Sequence, residues 1–431
     1  MRFEEALAEL DGRRESRMVP DLARILQLAT LLDDPQLSYP TIHVTGTNGK
    51  STTAGIAAAV ACAHGITAGV YTSPHLESVT ERFSVCGVDM LPSEFAAEYA
   101  HLLPFLLLVD AQSDEQVTYF EALTALAYLW FADKPVGLGV FEVGMGGTWD
   151  ATNLIAGDVA VICPVALDHP ELGATVAEVA GEKAGIIKEG KVAIVREQLP
   201  EAARVIADRA EAVGADLKRE FDDFELDHRL LAVGGQSIVV RGLYQSYDDL
   251  FLPLFGEHAA RNAAAAVAAV EAVLGQGLDE DATRTALAGV TSPGRLEVAG
   301  RNPLVILDGA HNPAGAEALA AAMREFFTWE RLHLVLAVSA NKDVDGMLSA
   351  LAPLADEAYA ARNQSERSGD AATIAEHLKA QGTPVRMYES VVEAVEAARA
   401  GAGRGDCVLV TGSLYTVADA RRALGGPSGE R

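Results

Sequence analysis

The sequence predicts an α/β protein. It should hold a mainly parallel sheet covered on both faces, a small antiparallel annex, and then a second, smaller α/β domain. Three observations predict this. Short apolar, β-branched runs alternate with longer helical runs, the pattern of strands joined by crossover helices. The alternation lapses once, between Phe221 and Leu254. It resumes after Thr291-Ser292-Pro293-Gly294-Arg295, where Pro and Gly end the preceding helix.

Taken in order, residues 1–40 read as helices from Phe3 to Leu10 and from Leu22 to Leu32, then a polar turn ending at Pro40. A strand opens at Thr41, where alternating β-branched residues suit extended backbone. Ala54 to His64 is an alanine-rich helical run closed by Gly65. Ile66 to Tyr71 is a strand running into Thr72-Ser73-Pro74-His75-Leu76. Leu102 to Val109 is the most apolar piece, broken by Pro104 and far too short to span a bilayer. Phe120 to Ala132 is helical with apolar residues nearly all round, so it is buried. Gly137 to Val143 and Asp158 to Cys163 are strands, ending in Gly144-Met145-Gly146-Gly147 and Leu167-Asp168-His169. Thr175 to Lys188 is a helix, Val192 to Val195 a strand and Pro200 to Val213 a helix. Arg229 to Val233 and Ser237 to Arg241 flank Gly234-Gly235 as a hairpin, the antiparallel annex. Helices follow at Glu257 to Leu274 and Glu280 to Leu287. Later strands are expected at Leu304 to Leu307, Leu332 to Val338, Glu357 to Ala360, Val385 to Tyr388 and Cys407 to Val410. The domains are expected at 1–294 and 295–431.

The 34 Lys+Arg against 61 Asp+Glu give a formal charge of -27, a field that opposes nucleic acid and anionic membrane surfaces. A well-solvated surface explains that acidity better than an acidic partner does. An anionic substrate would require the few cations to be gathered at one site. Cys62, Cys86, Cys163 and Cys407 are scattered without a C-x-x-C pair, so neither a disulfide framework nor a zinc site is expected. Met1-Arg2-Phe3-Glu4-Glu5 lacks the apolar run of a signal peptide, so a cytoplasmic location is expected.

The stretch Thr41-Ile42-His43-Val44-Thr45-Gly46-Thr47-Asn48-Gly49-Lys50-Ser51-Thr52-Thr53 is a strand, a glycine-rich turn and a helix start. That context suits a P-loop, whose backbone N–H groups face a phosphate at the positive end of a helix. Lys50 would reach the terminal phosphates and the Ser51 hydroxyl would hold Mg²⁺. The fit is incomplete, because Val44 stands where the usual pattern has its first glycine. An ordinary strand–turn–helix with a surface lysine is the plainer reading.

Nine stretches in order resemble the folylpolyglutamate synthase/dihydrofolate synthase family of the Mur-ligase superfamily. They begin with Gly46-Thr47-Asn48-Gly49-Lys50, Ser73-Pro74-His75-Leu76 with Glu81-Arg82, and Tyr119-Phe120-Glu121-Ala122-Leu123-Thr124. Glu142-Val143-Gly144-Met145-Gly146-Gly147 follows, closing on Asp150-Ala151-Thr152-Asn153. Then come Asp168-His169 with Glu182-Lys183-Ala184-Gly185-Ile186, His258 with Asn262, and Pro293-Gly294-Arg295. Asp308-Gly309-Ala310-His311-Asn312-Pro313 and Thr411-Gly412-Ser413-Leu414-Tyr415 complete the set. Three positions depart from the family pattern. Lys50-Ser51-Thr52 replaces Gly-Lys-Gly-Ser, Thr148 stands where an arginine is common, and the loop after His169 reaches Leu172-Gly173 one residue early.

The resemblance implies a P-loop domain followed by a Rossmann-like domain, and an ATP- and Mg²⁺-dependent ligase. Such an enzyme joins glutamate to a folate carboxylate, or to dihydropteroate, through an acyl phosphate. Another Mur-type amino-acid ligase, a P-loop kinase or NTPase, and a nucleotide-binding regulator remain the alternatives. The reaction needs positioning and charge neutralisation rather than a nucleophilic side chain. By resemblance, Thr47, Asn48, Gly49, Lys50, Ser51, Thr52, Asn262, Arg295 and Asp308 bind ATP. Ser73, Glu142, His169 and Lys183 hold metal, and Lys50, Glu142, His169 and Lys183 are catalytic. Thr118, Tyr119, Phe120, Glu121, Trp149, Asp150 and Ala151 contact the pteroyl group. The partners implied are small molecules, and a monomer is expected. Plainer readings stand beside these. Glu142 could be a solvated loop-edge acid, His169 a satisfied core or loop histidine, and Asn262 with His258 a helix-cap region. Arg295 and Asp308 could form surface ion pairs. Trp149 either stacks on a pterin or lies in the core. Lys183 is carbamylated in the family, and here is either that or part of a solvated helix face.

Overall fold

Within the described residues, 1–13 and 20–425, the computed structural model forms two compact units. The first is Met1–Pro253 with Ala259–Val290, and the second is Leu254–His258 with Thr291–Arg431. The first unit is built on an eight-stranded sheet. In order across it lie Val88–Asp89, Phe83–Val85, Ala68–Tyr71, Leu138–Glu142, Thr41–Thr45, Val159–Ile162, Val192–Val195 and Asp216–Arg219. The strands from Ala68–Tyr71 to Asp216–Arg219 run parallel. Two short antiparallel strands close the other edge. Thr41–Thr45 and Leu138–Glu142 are buried at every position, as strands covered on both faces must be. The strand carrying the glycine-rich turn therefore lies inside the sheet, between Leu138–Glu142 and Val159–Ile162.

The expected all-round apolar helix is Tyr119–Asp133, and every residue from Glu121 to Phe131 is buried. It packs in a core with Tyr39, Tyr71, Phe83 and Phe141. The apolar piece around Pro104 is not broken. Pro92–Asp110 is one helix with Pro104 inside it, and one face buries Phe95, Tyr99, Leu102, Leu106 and Val109. Burial of that face outweighs the lost backbone bond. No helix among the described residues is long and apolar enough to cross a membrane.

Three further expectations are corrected. The helix expected to run to Lys188 is Val176–Ala184, because the Glu182 carbonyl accepts from both the N–H and the Oγ1 of Thr148, at 3.0 Å each. The hairpin is the two-strand part of a three-stranded antiparallel sheet of Glu225–Ala232, Gly235–Arg241 and Ser246–Leu252. Cys62 and Cys86 form a disulfide. Cys62 lies in the last turn of the helix Lys50–Ala63. Pairing of Phe83–Val85 with Ala68–Tyr71 returns Cys86 beside it, with Cα atoms 5.7 Å apart. Sequence spacing carries no sign of that return. Cys163 and Cys407 are buried free thiols.

The second unit has a six-stranded sheet in the order Glu297–Arg301, Leu304–Leu307, Cys407–Thr411, Leu332–Leu336, Glu357–Ala360 and Val385–Met387. All neighbours are parallel except the first pair, whose edge strand Glu297–Arg301 was not anticipated. The five residues Leu254–His258 belong to this unit. Phe255 anchors them, its ring centroid 5.4 Å from that of Phe326 and 4.9 Å from that of Phe327.

Candidate active site

Parallel sheets place ligands at the carboxyl ends of their strands. Three neighbouring strand ends meet here: Thr45-Gly46 on the glycine-rich turn, Glu142 on one side, and Cys163 leading to Asp168-His169 on the other. The Thr45 hydroxyl donates to the Gly146 carbonyl at 2.8 Å, and the Thr47 hydroxyl to the Ala166 carbonyl at 2.9 Å, so the three loops are tied together. Gly46 has φ +144° and a Cβ there would lie 2.6 Å from Cys163 Cβ. Gly49 has φ +90°, a left-handed position that favours glycine, and starts the helix Lys50–Ala63 without a side-chain cap.

Two lysines converge on this turn. Lys50 Nζ donates to the carbonyls of Gly46 at 3.1 Å and Thr47 at 3.3 Å. Lys183 Nζ donates to the same Gly46 carbonyl at 2.9 Å. Lys183 is only 4% exposed, which removes the solvated-face reading. Burial, and then the neighbouring Lys50 charge, pull its pKa down to about 7, against the partial opposition of Asp168 and Asp150. The same cleft is lined by Gly144, Met145, Gly146, Asp168 and His169. His169 is therefore not a core histidine, and its Nε2 lies 3.3 Å from Asp168 Oδ2.

Glu142 is 2% exposed, so it is no solvated edge acid. Its Oε1 accepts from the Ser51 hydroxyl at 2.9 Å and its Oε2 from the Ser73 backbone N–H at 3.1 Å. Sequence positions 51, 73 and 142 thus meet at one carboxylate. The Glu142 carboxylate and the Ser51 hydroxyl are hard oxygens of the kind that Mg²⁺ takes.

Of the residues expected on the substrate side, Phe120 and Asp150 meet the Gly144–Gly147 loop. A Cβ on Gly144 would lie 2.5 Å from Phe120 Cζ, so that ring packs on the loop. Thr118 caps the helix, accepting from the Glu121 N–H at 3.2 Å. The Arg82 guanidinium lies over the Tyr119 ring, 5.6 Å from its centroid. Glu121 is held by a two-bond pair with Arg24 at 3.1 Å, and Asp150 accepts from the Met145 N–H at 2.9 Å and the Thr152 N–H at 3.0 Å. Burial raises the Asp150 carboxyl above its ordinary pKa despite these bonds. Both acids are thus tied up in local structure. The Ala151 carbonyl accepts from Tyr128 Oη at 2.7 Å. Trp149 is 52% exposed and is not core.

Asn262 is buried, and its amide lies against Gly49, where a Cβ would be 2.8 Å from Oδ1. Its oxygen accepts from Arg196. Sequence reasoning missed Arg196 because the contact spans 66 residues and Arg196 follows an unremarkable strand. In the second unit Asp308 follows the strand Leu304–Leu307 and is buried. Its oxygens accept from the N–H groups of Leu296 at 2.9 Å and Ala310 at 2.8 Å, and burial raises its pKa although Arg295 opposes this.

Comparison with known proteins gives the same picture over the whole chain. The Mur ligase middle domain matches residues 44–270, and the Mur ligase glutamate ligase domain matches residues 294–414. The dihydrofolate synthase/folylpolyglutamate synthase of Mycobacterium tuberculosis is 42% identical over 95% of this chain and 91% of its own. The solved Mycobacterium tuberculosis folylpolyglutamate synthase complexed with ADP superposes with a TM-score of 0.95 at 41% identity, covering 99% of this chain and 98% of that one. Escherichia coli FolC in complex with DHPP and ADP gives a TM-score of 0.86 at 33% identity, covering 98% of this chain and 99% of that one. A glycine-rich turn at a strand end, met by a buried carboxylate and a desolvated helix lysine, on a chain aligned nearly end to end with these proteins, leads to one conclusion: the chain belongs to the dihydrofolate synthase/folylpolyglutamate synthase family of ATP-dependent Mur-type ligases.

Proposed function

We propose that this enzyme adds L-glutamate to tetrahydrofolate, and also to dihydropteroate, using ATP and Mg²⁺. The observation that carries the reading is the convergence of Lys50 and Lys183 on the Gly46 carbonyl, beside the buried Glu142 carboxylate. A folate carboxylate attacks the γ-phosphorus, giving an acyl phosphate and ADP. The glutamate amine then attacks the acyl carbon and phosphate leaves. Lys50 stabilises charge on the transferring group, and the backbone N–H groups of the turn from Thr47 to Thr52 hold the phosphates. Glu142, Ser73, His169 and Lys183, the last as a carbamate, would hold Mg²⁺, which supplies neutralisation of phosphate charge when bound. Lys183 suits carbamylation because its buried amine is readily neutral. Asn262, Arg295 and Asp308 are assigned to ATP. Thr118, Tyr119, Phe120, Glu121, Trp149, Asp150 and Ala151 are assigned to the pteroyl side, with exposed Trp149 free to stack on a flat ring. The enzyme is assigned to the cytoplasm and to a monomeric state, which light scattering would test.

The test is purified protein with ATP, Mg²⁺, glutamate and a panel of folates and pteroates, with products read by mass spectrometry. A gain of one glutamate with ADP release is expected. Phosphate retained on the acceptor, without an amide, would make the protein a kinase.

A further inference from the structure

We infer that Arg196 is a positioning residue that fixes how Asn262 presents its amide to the nucleotide; this rests on the assignment of Asn262 to ATP. Arg196 directly follows the strand Val192–Val195, and its backbone N–H donates to the Ile162 carbonyl at 3.0 Å. It therefore stands at the ligand-bearing edge of the sheet, with its side chain 3% exposed. Nε donates to Glu220 Oε2 at 3.1 Å, and Nη1 donates to Asn262 Oδ1. Glu220 also accepts from Arg261 Nε at 2.7 Å and from the Glu197 backbone N–H at 2.7 Å. The Arg196 guanidinium is thus clamped and cannot swing away.

The chemistry of the pair dictates direction. A guanidinium only donates, so the Asn262 oxygen must face it and the NH₂ group must face elsewhere. The amide is seated on Gly49, where an added Cβ would lie 2.8 Å from Oδ1 and 3.0 Å from Nδ2. Asn262 therefore offers its donor side beside the start of the helix Lys50–Ala63, to an acceptor atom of the nucleotide. Without Arg196 the amide is free to turn over, and an oxygen facing an acceptor atom of the nucleotide repels it.

The test is a double-mutant cycle on the full chain, reading KM for ATP and kcat. Arg196→Lys keeps the cation for Glu220 but loses the forked donor. It should raise KM for ATP about tenfold, the weight of one oriented hydrogen bond, with kcat within about twofold. Asn262→Ala should raise KM by a similar factor, and adding Arg196→Lys to it should change KM no further. If the two effects multiply, Arg196 acts independently of Asn262 and the inference is overturned. If Asn262→Ala raises KM while Arg196→Lys leaves it unchanged, the inference fails but the assignment of Asn262 stands. If Asn262→Ala leaves KM unchanged, that assignment fails and the inference with it. Arg196→Met in the same cycle, with folding checked by circular dichroism, gives a second reading free of any residual lysine contact.

Discussion

The chain builds the same local unit twice and puts it to different use. Thr41–Thr45 turns into the helix Lys50–Ala63, and Leu304–Leu307 turns into the helix Pro313–Phe326. Both are largely buried strands, parallel to at least one neighbour and feeding a helix. They differ at the helix start. The first begins at Gly49, without a side-chain cap. The second begins at Asn312, whose Oδ1 accepts from the Gly315 N–H at 2.8 Å, and continues with Pro313, which has no N–H to offer. The charges differ as well. The first turn draws two lysines onto its Gly46 carbonyl, whereas the second surrounds the Asp308 carboxylate with backbone N–H groups. Strand–loop–helix topology is thus only a platform. A helix start left uncapped, with the Lys50 ammonium beside it, is what suits an anion.

The strongest way to break this contrast is to remove the lysines that meet the first turn. Lys183→Ala should nearly abolish ligation in a folded protein, and Lys183→Arg should fail as badly, because arginine cannot form a carbamate. A short carboxylic acid in solution should partly restore the alanine variant. A wild-type rate in Lys183→Arg would exclude the carbamate. Lys183 also carries a pH signature. Its pKa is about 7 in the folded chain against 10.5 ordinarily, so between those values the unfolded chain holds a proton that the folded one lacks. Stability of CO₂-free protein should therefore rise as pH is raised from 7 toward 10.5. Urea titrations should show that slope, and Lys183→Met should lose it.

Lys50→Ala should lower kcat by about a hundredfold, as for loss of a charge-stabilising donor. Turnover close to wild type would remove the phosphate assignment. The far end of the same helix sharpens the comparison through stability. Cys62→Ser opens the disulfide to Cys86, across a sequence separation of 24, and should cost about 3 kcal/mol, read by denaturant unfolding under non-reducing conditions. An unchanged midpoint would mean that the bond does not form in solution. The capped helix of the second unit should respond least. Asn312→Ala should cost about 1 kcal/mol, and a loss below a few tenths would show that the cap is not what holds that helix start.

Local signals were legible. β-branched runs gave the strands, and the all-round apolar pattern gave the buried helix Tyr119–Asp133. Glu142 and Lys50 could be read from strand ends and a glycine turn, since their placement follows from neighbouring residues. What escaped depends on long-range return of the chain. Pro104 looked like a break because the tertiary burial that holds Pro92–Asp110 together is invisible in a local window. The Cys62–Cys86 bond depends on strand pairing, and Arg196 on a partner 66 residues away. Trp149 stayed ambiguous because an indole suits either a core or a ligand face, and only its exposure decides.

The position of Phe255 bears on how the protein is made. It belongs to the second unit, yet it precedes the helix Glu257–Leu274, most of which completes the first. On the ribosome, Phe255 emerges long before Phe326 and Phe327, the rings it packs against. While the rest of the first unit is folding during synthesis, an apolar ring must wait without its pocket. A nascent chain stalled near residue 290 would carry that ring uncovered, a binding target for chaperones. Dividing the gene at the same point would part the second unit from its segment Leu254–His258.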